Sequence, residues 1–544
     1  MIWHDETLMK NTLTPTICAI LLASCSCFGR HERLANHDLS GLYARSIERI
    51  LRLREDEVDL ATAVLIISEE WNDNVLGRRY ISRVDEMAWD ILDRLKAKGL
   101  KSDYKAIPVI NDYLFKENRF KSVKEAADPR DLFLHSVMDR KSGYCLSLSV
   151  LYLSIGERLG LPLYGVVVPG HFFVRYDDGK RTRFNIETTS GGGSAPDEHY
   201  LTKFNVPEGG REGIYMKNLN KMQTLGCFFN NLGNSYMDVG NLNSALMALE
   251  RAVEINPSLA ESRTNLGNIY LRKGQIQDAI SQYSAALRIN PHDAKTHNNL
   301  GNTYARQNMF TNAVSEYHKS IELDPNFVDA YKNLANAYCK QSLFSKAVHQ
   351  LKAALDLEPR NAELYTQLGE VYSETGDCET ALAQYERAVR IDRDSARSHY
   401  GMALCYKKLG RIDHEIRAYK NALRIEPDMT AALGNLGNAY FGKENYDEAI
   451  RQYQKALRIA PDDGMLYYNL GAAYSNKGAY SQAVTAYLKA VRIDPQDANS
   501  HNGLGFAYYR LEKYDEAWSH IQTAEQLGVA VDKDLIAAVK RQLK

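Results

Sequence analysis

Neither sign of charge dominates this sequence, and long apolar runs and regularly spaced cysteines are also missing. The 67 Lys and Arg residues balance 68 Asp and Glu residues, for a formal net charge of −1. The composition therefore gives no reason to expect a nucleic-acid partner or a polybasic membrane-binding face. No run of about 18 uninterrupted apolar residues predicts a membrane-spanning helix. The eight cysteines fall at unlike positions, which argues against a disulfide framework, and no metal site or other cofactor is predicted.

The pattern of the first 24 residues predicts a signal peptide. Lys10 supplies a basic region, and a short apolar stretch follows it. The segment L-A-S-C at 22–25 resembles the lipobox of bacterial lipoprotein signal peptides, which implies that Cys25 is the lipidated first residue of the mature protein. An ordinary secretory cleavage site or an apolar tail are the alternatives, and Met9 is an alternative start. The resemblance implies a lipid-anchored protein of a bacterial cell envelope, on an outer membrane and facing the periplasm.

The strongest pattern is a 34-residue repeat, present in nine consecutive units between Gly226 and Ala530. A Leu or Met recurs at one position and a Tyr follows it four residues later, so both lie on one face of a first helix. The two columns are Leu232, Leu266, Leu300, Leu334, Leu368, Met402, Leu436, Leu470 and Leu504, with Tyr236, Tyr270, Tyr304, Tyr338, Tyr372, Tyr406, Tyr440, Tyr474 and Tyr508. A fixed period of this length is typical of stacked helix pairs.

Small residues recur where a second helix has to approach the first. They are Gly233, Gly267, Gly301, Ala335, Gly369, Ala403, Gly437, Gly471 and Gly505, and a second column of Ala is broken only by Glu415. Pro closes most units, since it ends a helix. In length, column chemistry and phase the array resembles the tetratricopeptide repeat (TPR) family. We therefore expect nine TPR repeats over 226–531 and a C-terminal cap helix over 532–544.

Asparagine is frequent on one face of the first helices, although it is a mediocre helix former. The two columns are Asn231, Asn265, Asn299, Asn333, Asn435 and Asn469, with Asn234, Asn268, Asn302, Asn336 and Asn438. In TPR proteins these positions face the concave groove, so the resemblance implies that the amides bind an extended peptide or a protein partner. A merely solvated face is the alternative. The first column is interrupted at Gln367, Gly401 and Gly503.

The segment before the repeats combines amphipathic helices with short strands. Ser142 or Gly143 can cap a helix that runs to about Leu159. Cys145 then lies in the first turn, where unpaired N–H groups and the helix dipole favour a thiolate. Three strands are predicted next, over 163–168, 171–176 and 181–188.

The turn D-D-G at 177–179 predicts a three-residue hairpin between the second and third strands. In that register His171 pairs with Asn185, and Glu187 is the diagonal neighbour on the same face. A two-residue turn would place Ile186 opposite His171 instead. A Cys at a helix start, a His on the next strand and a polar side chain on the adjoining strand match the nucleophile, base and orienting residue of cysteine catalysis.

Three motifs run through residues 130–193: G-Y-C-L-S-L-S-V-L-Y-L, G-L-P-L-Y-G-V-V-V-P-G-H-F-F-V-R and F-N-I-E-T-T-S-G-G-G. Through them this segment resembles a bacterial branch of the transglutaminase-like, papain-fold superfamily. The resemblance implies that Cys145 is the nucleophile and His171 the base, and that Glu187 stands where the family usually has Asp. Asn185 is the alternative orienting residue, as Asn is in papain-like proteases. A buried structural thiol and a core histidine are the alternatives to catalysis.

Together these patterns predict a mostly α protein. Residues 25–35 form a linker, residues 36–215 an α+β transglutaminase-like domain with a small antiparallel sheet, and the remainder an α-solenoid of helix-turn-helix repeats. The first predicted function is protein or peptide recognition on the concave face of the repeats. The alternative is a cysteine-dependent amide hydrolase or acyltransferase whose repeats recruit the substrate.

Overall fold

The computed structural model describes residues 44–543, apart from 72–74, 124–128, 205 and 207–213. The described residues form two compact units, one that ends at Asp324 and one that begins at Pro325. The predicted lipidation site, Cys25, lies outside the described residues. Within the described ranges, no helix combines the length and the apolar character needed to cross a membrane.

The first unit begins with an α+β part. Its helices are α1 (Ile47–Ile50), α2 (Leu60–Trp71), α3 (Gly77–Ala97), α4 (Ile107–Asn111), α5 (Leu134–Arg140), α6 (Cys145–Arg158) and α7 (Asp197–Lys203). Its strands are β1 (Lys121–Ser122), β2 (Ser142–Gly143), β3 (Leu163–Val168), β4 (His171–Asp177) and β5 (Arg183–Ile186). β1 and β2 form a short parallel pair, and β3, β4 and β5 form an antiparallel sheet in that order.

The connection between β4 and β5 is wider than the sequence predicted. Asp177 pairs with Arg183, so residues 178–182 form the turn, and Arg175 pairs with Asn185. The Asp178 carboxylate accepts hydrogen bonds from the backbone N–H groups of residues 180, 181 and 182, at 2.8, 2.9 and 3.0 Å. An Asp side chain that bonds the backbone in this way stabilises a loop that the tight-turn rule does not foresee. The predicted three-residue hairpin is therefore wrong.

Three helix pairs complete the first unit. They are α8 (Lys221–Asp238) with α9 (Leu242–Ile255), α10 (Ala260–Arg272) with α11 (Ile276–Ile289), and α12 (Ala294–Arg306) with α13 (Phe310–Leu323). Phe228 and Phe229 of α8 lie in the same hydrophobic core as Leu148 of α6 and Phe173 of β4. The first repeat is therefore packed directly onto the part of the chain that carries Cys145.

The second unit consists of six further helix pairs and a final helix. The pairs are α14 (Val328–Lys340) and α15 (Phe344–Leu357), α16 (Ala362–Glu374) and α17 (Cys378–Ile391), α18 (Ala396–Lys408) and α19 (Ile412–Ile425), α20 (Thr430–Gly442) and α21 (Tyr446–Ile459), α22 (Gly464–Asn476) and α23 (Tyr480–Ile493), and α24 (Ala498–Arg510) and α25 (Tyr514–Gln526); α26 (Lys533–Gln542) follows. The predicted fold class, mostly helical with a small antiparallel sheet ahead of a helical repeat array, is confirmed.

A tyrosine of the second helix explains the recurrent glycine of the first. A Cβ atom at Gly267 would lie 2.6 Å from the Tyr283 ring, and one at Gly301 would lie 2.6 Å from the Tyr317 ring. Both tyrosines are buried. The glycine is needed because these rings occupy the space that a side chain would fill.

Candidate active site

Cys145 is buried and lies in the first turn of α6, as the sequence predicted, but the residue before the helix is Tyr144, since Ser142 and Gly143 form β2. The helix start is held by Ser147, whose Oγ accepts a hydrogen bond from the Tyr144 N–H at 2.9 Å and donates one to the Asp131 carbonyl at 3.0 Å. The thiol therefore has a fixed position in the first turn, where the backbone N–H groups lack partners within the helix.

The other end of α6 is anchored by a buried ion-pair network around Arg158. Its Nη1 lies 2.6 Å from Asp59 Oδ2, and its Nε lies 2.8 Å from Asp85 Oδ1 on α3. Burial alone would raise the pKa of Asp59, but the charge and the hydrogen bonds of Arg158 lower it. Charges this deep are tolerated when they are paired. The network therefore fixes α6, and with it Cys145, against α2 and α3.

His171 connects Cys145 to Glu187. His171 Nε2 lies 2.7 Å from Glu187 Oε2, and the two side chains are only 12% and 16% exposed. Burial lowers the pKa of His171, but hydrogen bonds with Cys145 and Glu187 outweigh it and raise the pKa to about 9. Burial would raise the pKa of Glu187, whereas the bond to His171 brings it below its usual range. The geometry thus favours a protonated imidazole beside a carboxylate at neutral pH.

The structure does not bring Asn185, the alternative orienting residue, to His171. Its Oδ1 accepts a hydrogen bond from Arg175 Nε at 2.8 Å, and its Nδ2 donates to Asp197 Oδ1 at 2.7 Å. The observed register places Asn185 opposite Arg175, four residues beyond His171 on β4. Asn185 therefore supports the fully buried Arg175 guanidinium, and Glu187 is the group that contacts His171.

Two aromatic residues, Tyr200 and Phe204, form a wall against the His171 ring that no sequence pattern predicted. The Phe204 ring stacks on it at 4.7 Å between centroids with planes 4° apart, and Tyr200 lies 6.4 Å away. The Tyr200 hydroxyl also lies 3.4 Å from Glu187 Oε2. The wall restricts rotation of the imidazole and shields its bond to the carboxylate. These two residues belong to α7 and its end, and no local pattern connects them with His171.

Cys145 and His171 open onto a cavity of about 610 Å³ within the first unit. The opposite side of the cavity is formed by first helices of the repeats. The asparagines that line it are Asn230, Asn231, Asn234, Asn265, Asn268 and Asn299. Five asparagines of the two predicted columns thus line the same cavity as the thiol. Asn230 lines it as well, although it belongs to neither column.

The asparagines also bond to each other and to the second helices. Asn265 Nδ2 donates to Asn230 Oδ1 at 3.0 Å, and Asn299 Nδ2 donates to Asn268 Oδ1 at 3.2 Å. The Tyr283 hydroxyl donates to Asn268 Oδ1 at 2.7 Å. The columns therefore have a structural role in joining repeats, beside any role in binding.

The other asparagines of the two predicted columns do not line this cavity. Asn302 Oδ1 accepts a hydrogen bond from Tyr317 and Asn438 Oδ1 one from Tyr453, both at 2.7 Å. Asn435 Nδ2 donates to the Tyr400 hydroxyl at 3.2 Å. The positions in the second unit are Asn333, Asn336, Asn435, Asn438 and Asn469.

Comparison with known families gives both parts of the chain a counterpart. The sequence model of the transglutaminase-like superfamily matches residues 78–211. Models of the tetratricopeptide repeat match segments between residues 233 and 512. The chain contains a transglutaminase-like domain and TPR repeats. The site at Cys145 lies inside the transglutaminase-like match, and the asparagines opposite it lie on or just before the TPR matches.

Curated relatives match less than a quarter of the chain. A UPF0162 protein of Xylella fastidiosa is 33% identical over 130 residues, which are 22% of this chain and 43% of that protein. F-box only protein 21 of Homo sapiens is 31% identical over 96 residues, 18% of this chain and 12% of that protein. The chain thus spans less than half the length of these relatives.

Among solved structures, part of this chain is similar to MamA from Desulfovibrio magneticus RS-1. The two are 25% identical, the match covers 30% of this chain and 94% of that one, and the TM-score is 0.30. TPR repeats indicate protein or peptide binding, and the first repeats of this chain line the same cavity as Cys145 and His171. In the described part of the chain no group of three or more His, Cys, Asp or Glu residues could hold a metal ion.

Proposed function

We propose that this protein is a cysteine-dependent amide hydrolase or acyltransferase that acts on an extended segment of a protein substrate. The observation that carries the proposal is the position of His171. It is hydrogen-bonded to Glu187, it lies beside Cys145, and it lines the same cavity as the asparagines of the first TPR repeats. A domain that served only to bind a partner would not need a thiol, an imidazole and a carboxylate in series.

The reaction would proceed through a thioester. The Cys145 sulfur attacks the carbonyl carbon of an amide, a C–S bond forms, and the oxygen takes the negative charge. As the C–N bond breaks, His171 gives its proton to the leaving nitrogen. Water then attacks the thioester in hydrolysis, or a second amine attacks it in acyl transfer. His171 accepts a proton from this attacking group, and the Cys145 thiolate leaves. Glu187 holds the imidazole and stabilises its charged form throughout.

Selective alkylation tests the thiol. The full chain is treated with iodoacetamide at pH 6.5, and modified cysteines are identified by mass spectrometry. Cys145 is expected to react, because the His171 imidazole beside it acts as its base in the proposed mechanism. Cys227 lines the same cavity and is a matched internal control, since burial raises its pKa to about 12. His171→Ala should abolish the selectivity.

Two results would count against the proposal. One is alkylation of Cys145 only at the high pH at which Cys227 reacts. The other is alkylation at pH 6.5 that is unchanged in His171→Ala, since the reactivity would then be independent of the imidazole. Either result would leave peptide recognition by the repeats as the function.

Substitutions within the asparagine columns test whether the first repeats bind the substrate segment. Asn265→Ala with Asn299→Ala removes two amides that line the cavity. Asn469→Ala is the matched control, at the same repeat position in the second unit. We expect only the first change to reduce crosslinking of a partner to the Cys145→Ala protein, with circular dichroism unchanged in both. Equal losses would contradict a groove centred on the cavity.

We also propose that a lipid on Cys25 tethers the protein to the bacterial envelope, with the folded part facing the periplasm. The support is the L-A-S-C segment at 22–25 behind a basic and apolar leader. Metabolic labelling with tritiated palmitate should mark the wild-type chain and not Cys25→Ser. Equal labelling of the two would show that the lipid, if present, is elsewhere.

A further inference from the structure

The cavity beside Cys145 contains two hydrogen-bond acceptors without donors. Asn234 Oδ1 on α8 and Glu261 Oε2 in the first turn of α10 are both buried atoms, and no group in the described ranges donates to them. The other oxygen of Glu261, Oε1, accepts a hydrogen bond from the Tyr215 hydroxyl. Tyr215 is itself buried. One oxygen of the carboxylate is thus bonded, and the other has no donor in the described ranges.

Unsatisfied buried acceptors are costly, at ~1–3 kcal/mol each and more when the group is charged. Native proteins satisfy nearly all such atoms, so a pair of them on one cavity wall indicates a ligand that brings the donors. A peptide backbone N–H is the donor that suits a neutral amide oxygen. A carboxylate oxygen suits a cationic donor better.

The charge of the cavity wall also favours a cation. Asp238, Glu261 and Asp293 line it, and the basic side chains among the residues that form it are Lys295 and His171, of which His171 is paired with Glu187. Asp293 is occupied as the cap of α12, where it accepts hydrogen bonds from the Lys295 N–H at 3.1 Å and from the Thr296 hydroxyl at 2.5 Å. Glu261 is therefore the carboxylate placed to meet a ligand.

Burial raises the pKa of Glu261 to about 7, with Asp293 adding to the effect. A hydrogen bond from the Glu261 backbone offsets only part of this desolvation, and Tyr215 contributes a hydroxyl without a charge. A cation seated against Oε2 would offset the rest and would restore the ionised form.

We propose that Glu261 binds the ammonium or guanidinium group of a Lys or Arg side chain in the substrate segment, while Asn234 accepts a hydrogen bond from the backbone of that segment. This inference rests on the proposed function, since it assigns the substrate of that same site. It makes Glu261 a specificity-determining residue: the segment processed at Cys145 carries a basic residue close to the reacting amide.

The TPR pattern does not require an acidic residue at the position of Glu261. The residues 34, 68 and 102 positions later are Lys295, Asp329 and Glu363. Glu363 provides a matched control, because it is exposed, lies in the second unit and faces Lys332 at 3.3 Å. A change there alters the same repeat position without touching the cavity.

The test measures binding separately from chemistry. The probes are two pools of fluorescent 12-residue peptides with blocked ends and random flanks, one with Lys at the central position and one with norleucine, which has a similar chain without the charge. Binding to the full-length Cys145→Ala protein is followed by fluorescence anisotropy. We expect the Lys pool to bind about tenfold more tightly, as a buried charge-assisted hydrogen bond allows.

Glu261→Gln should bring the two pools to within about twofold of each other, since it removes the charge and keeps the shape. Glu363→Gln should keep the full preference. Tyr215→Phe removes a donor and leaves the carboxylate, so it should keep or strengthen the preference, and it reads out the site even if Glu261→Gln folds poorly. Equal binding of both pools to the Cys145→Ala protein, or a lysine preference that survives Glu261→Gln, would overturn the assignment.

The two proposals can fail separately. An unreactive Cys145 would refute the enzyme and leave a lysine preference measurable in this assay. A reactive Cys145 with no preference between the pools would refute the Glu261 site alone.

Discussion

Removing the charge of Glu187 should weaken the coupling between His171 and Cys145. His171 and Glu187 share a 2.7 Å hydrogen bond in a site where each side chain is less than one-fifth exposed. A hydrogen bond to a charged group contributes ~1.5–3 kcal/mol. Since one pKa unit corresponds to 1.36 kcal/mol, Glu187→Gln should lower the pKa of His171 from about 9 by roughly one to two units.

The consequence can be measured as thiol reactivity. At pH 8 the wild-type ring, with a pKa of about 9, is largely protonated, whereas a ring whose pKa is one to two units lower is about half to nine-tenths neutral. Because the charged ring activates Cys145 in the proposed mechanism, the rate of Cys145 alkylation by iodoacetamide at pH 8 should drop roughly two- to tenfold in Glu187→Gln. The rates are read by mass spectrometry over pH 5–9, with circular dichroism to confirm folding.

Asn185→Ala is the comparison variant. It should lower stability, because the buried Arg175 loses a partner, and leave the alkylation profile of the folded protein unchanged. An unchanged profile in Glu187→Gln, or the larger effect in Asn185→Ala, would refute the assignment of Glu187 as the group that holds His171.

Three further predictions concern stability. Arg158→Leu should cost ~3–5 kcal/mol in the unfolding of the first unit, because it removes the cation that two buried carboxylates share, and a urea midpoint close to that of the wild type would contradict this. Gly301→Ala should cost ~1–3 kcal/mol through overlap with the Tyr317 ring, and Tyr317→Leu in the same chain should recover part of the loss. The raised pKa of His171 contributes stability that is fully present below about pH 6.5 and lost as the pH rises through about 9. His171→Gln should flatten that part of the stability profile in chemical denaturation.

The repeat array was predictable from the sequence because its stabilising contacts recur at a fixed spacing. Each unit needs an apolar residue and a Tyr on one helix face and a small residue under the second helix, so the period reports the helix pairs directly. The start of α6 at Cys145 and strands β3 and β4 were predictable for a similar reason, since capping, alternation and turn signals act within a few residues.

The identity of the residue that holds His171 was decided by the tertiary structure. A tight-turn rule aligned His171 with Asn185, whereas the Asp178 carboxylate stabilises a wider turn that aligns Arg175 with Asn185 and leaves Glu187 at the ring. A shift of register changes which side chains meet across a hairpin, and one side-chain contact in the turn is enough to cause it.

The sequence by itself determined that an asparagine-lined repeat array follows a Cys–His domain. Only the tertiary structure decided that both line one cavity. Phe228 and Phe229 at the start of the repeats belong to the hydrophobic core of the domain, which turns the first asparagines towards Cys145. That core joins residues more than 50 positions apart, so no periodicity or motif could have revealed it, because non-local packing leaves no pattern in a single chain.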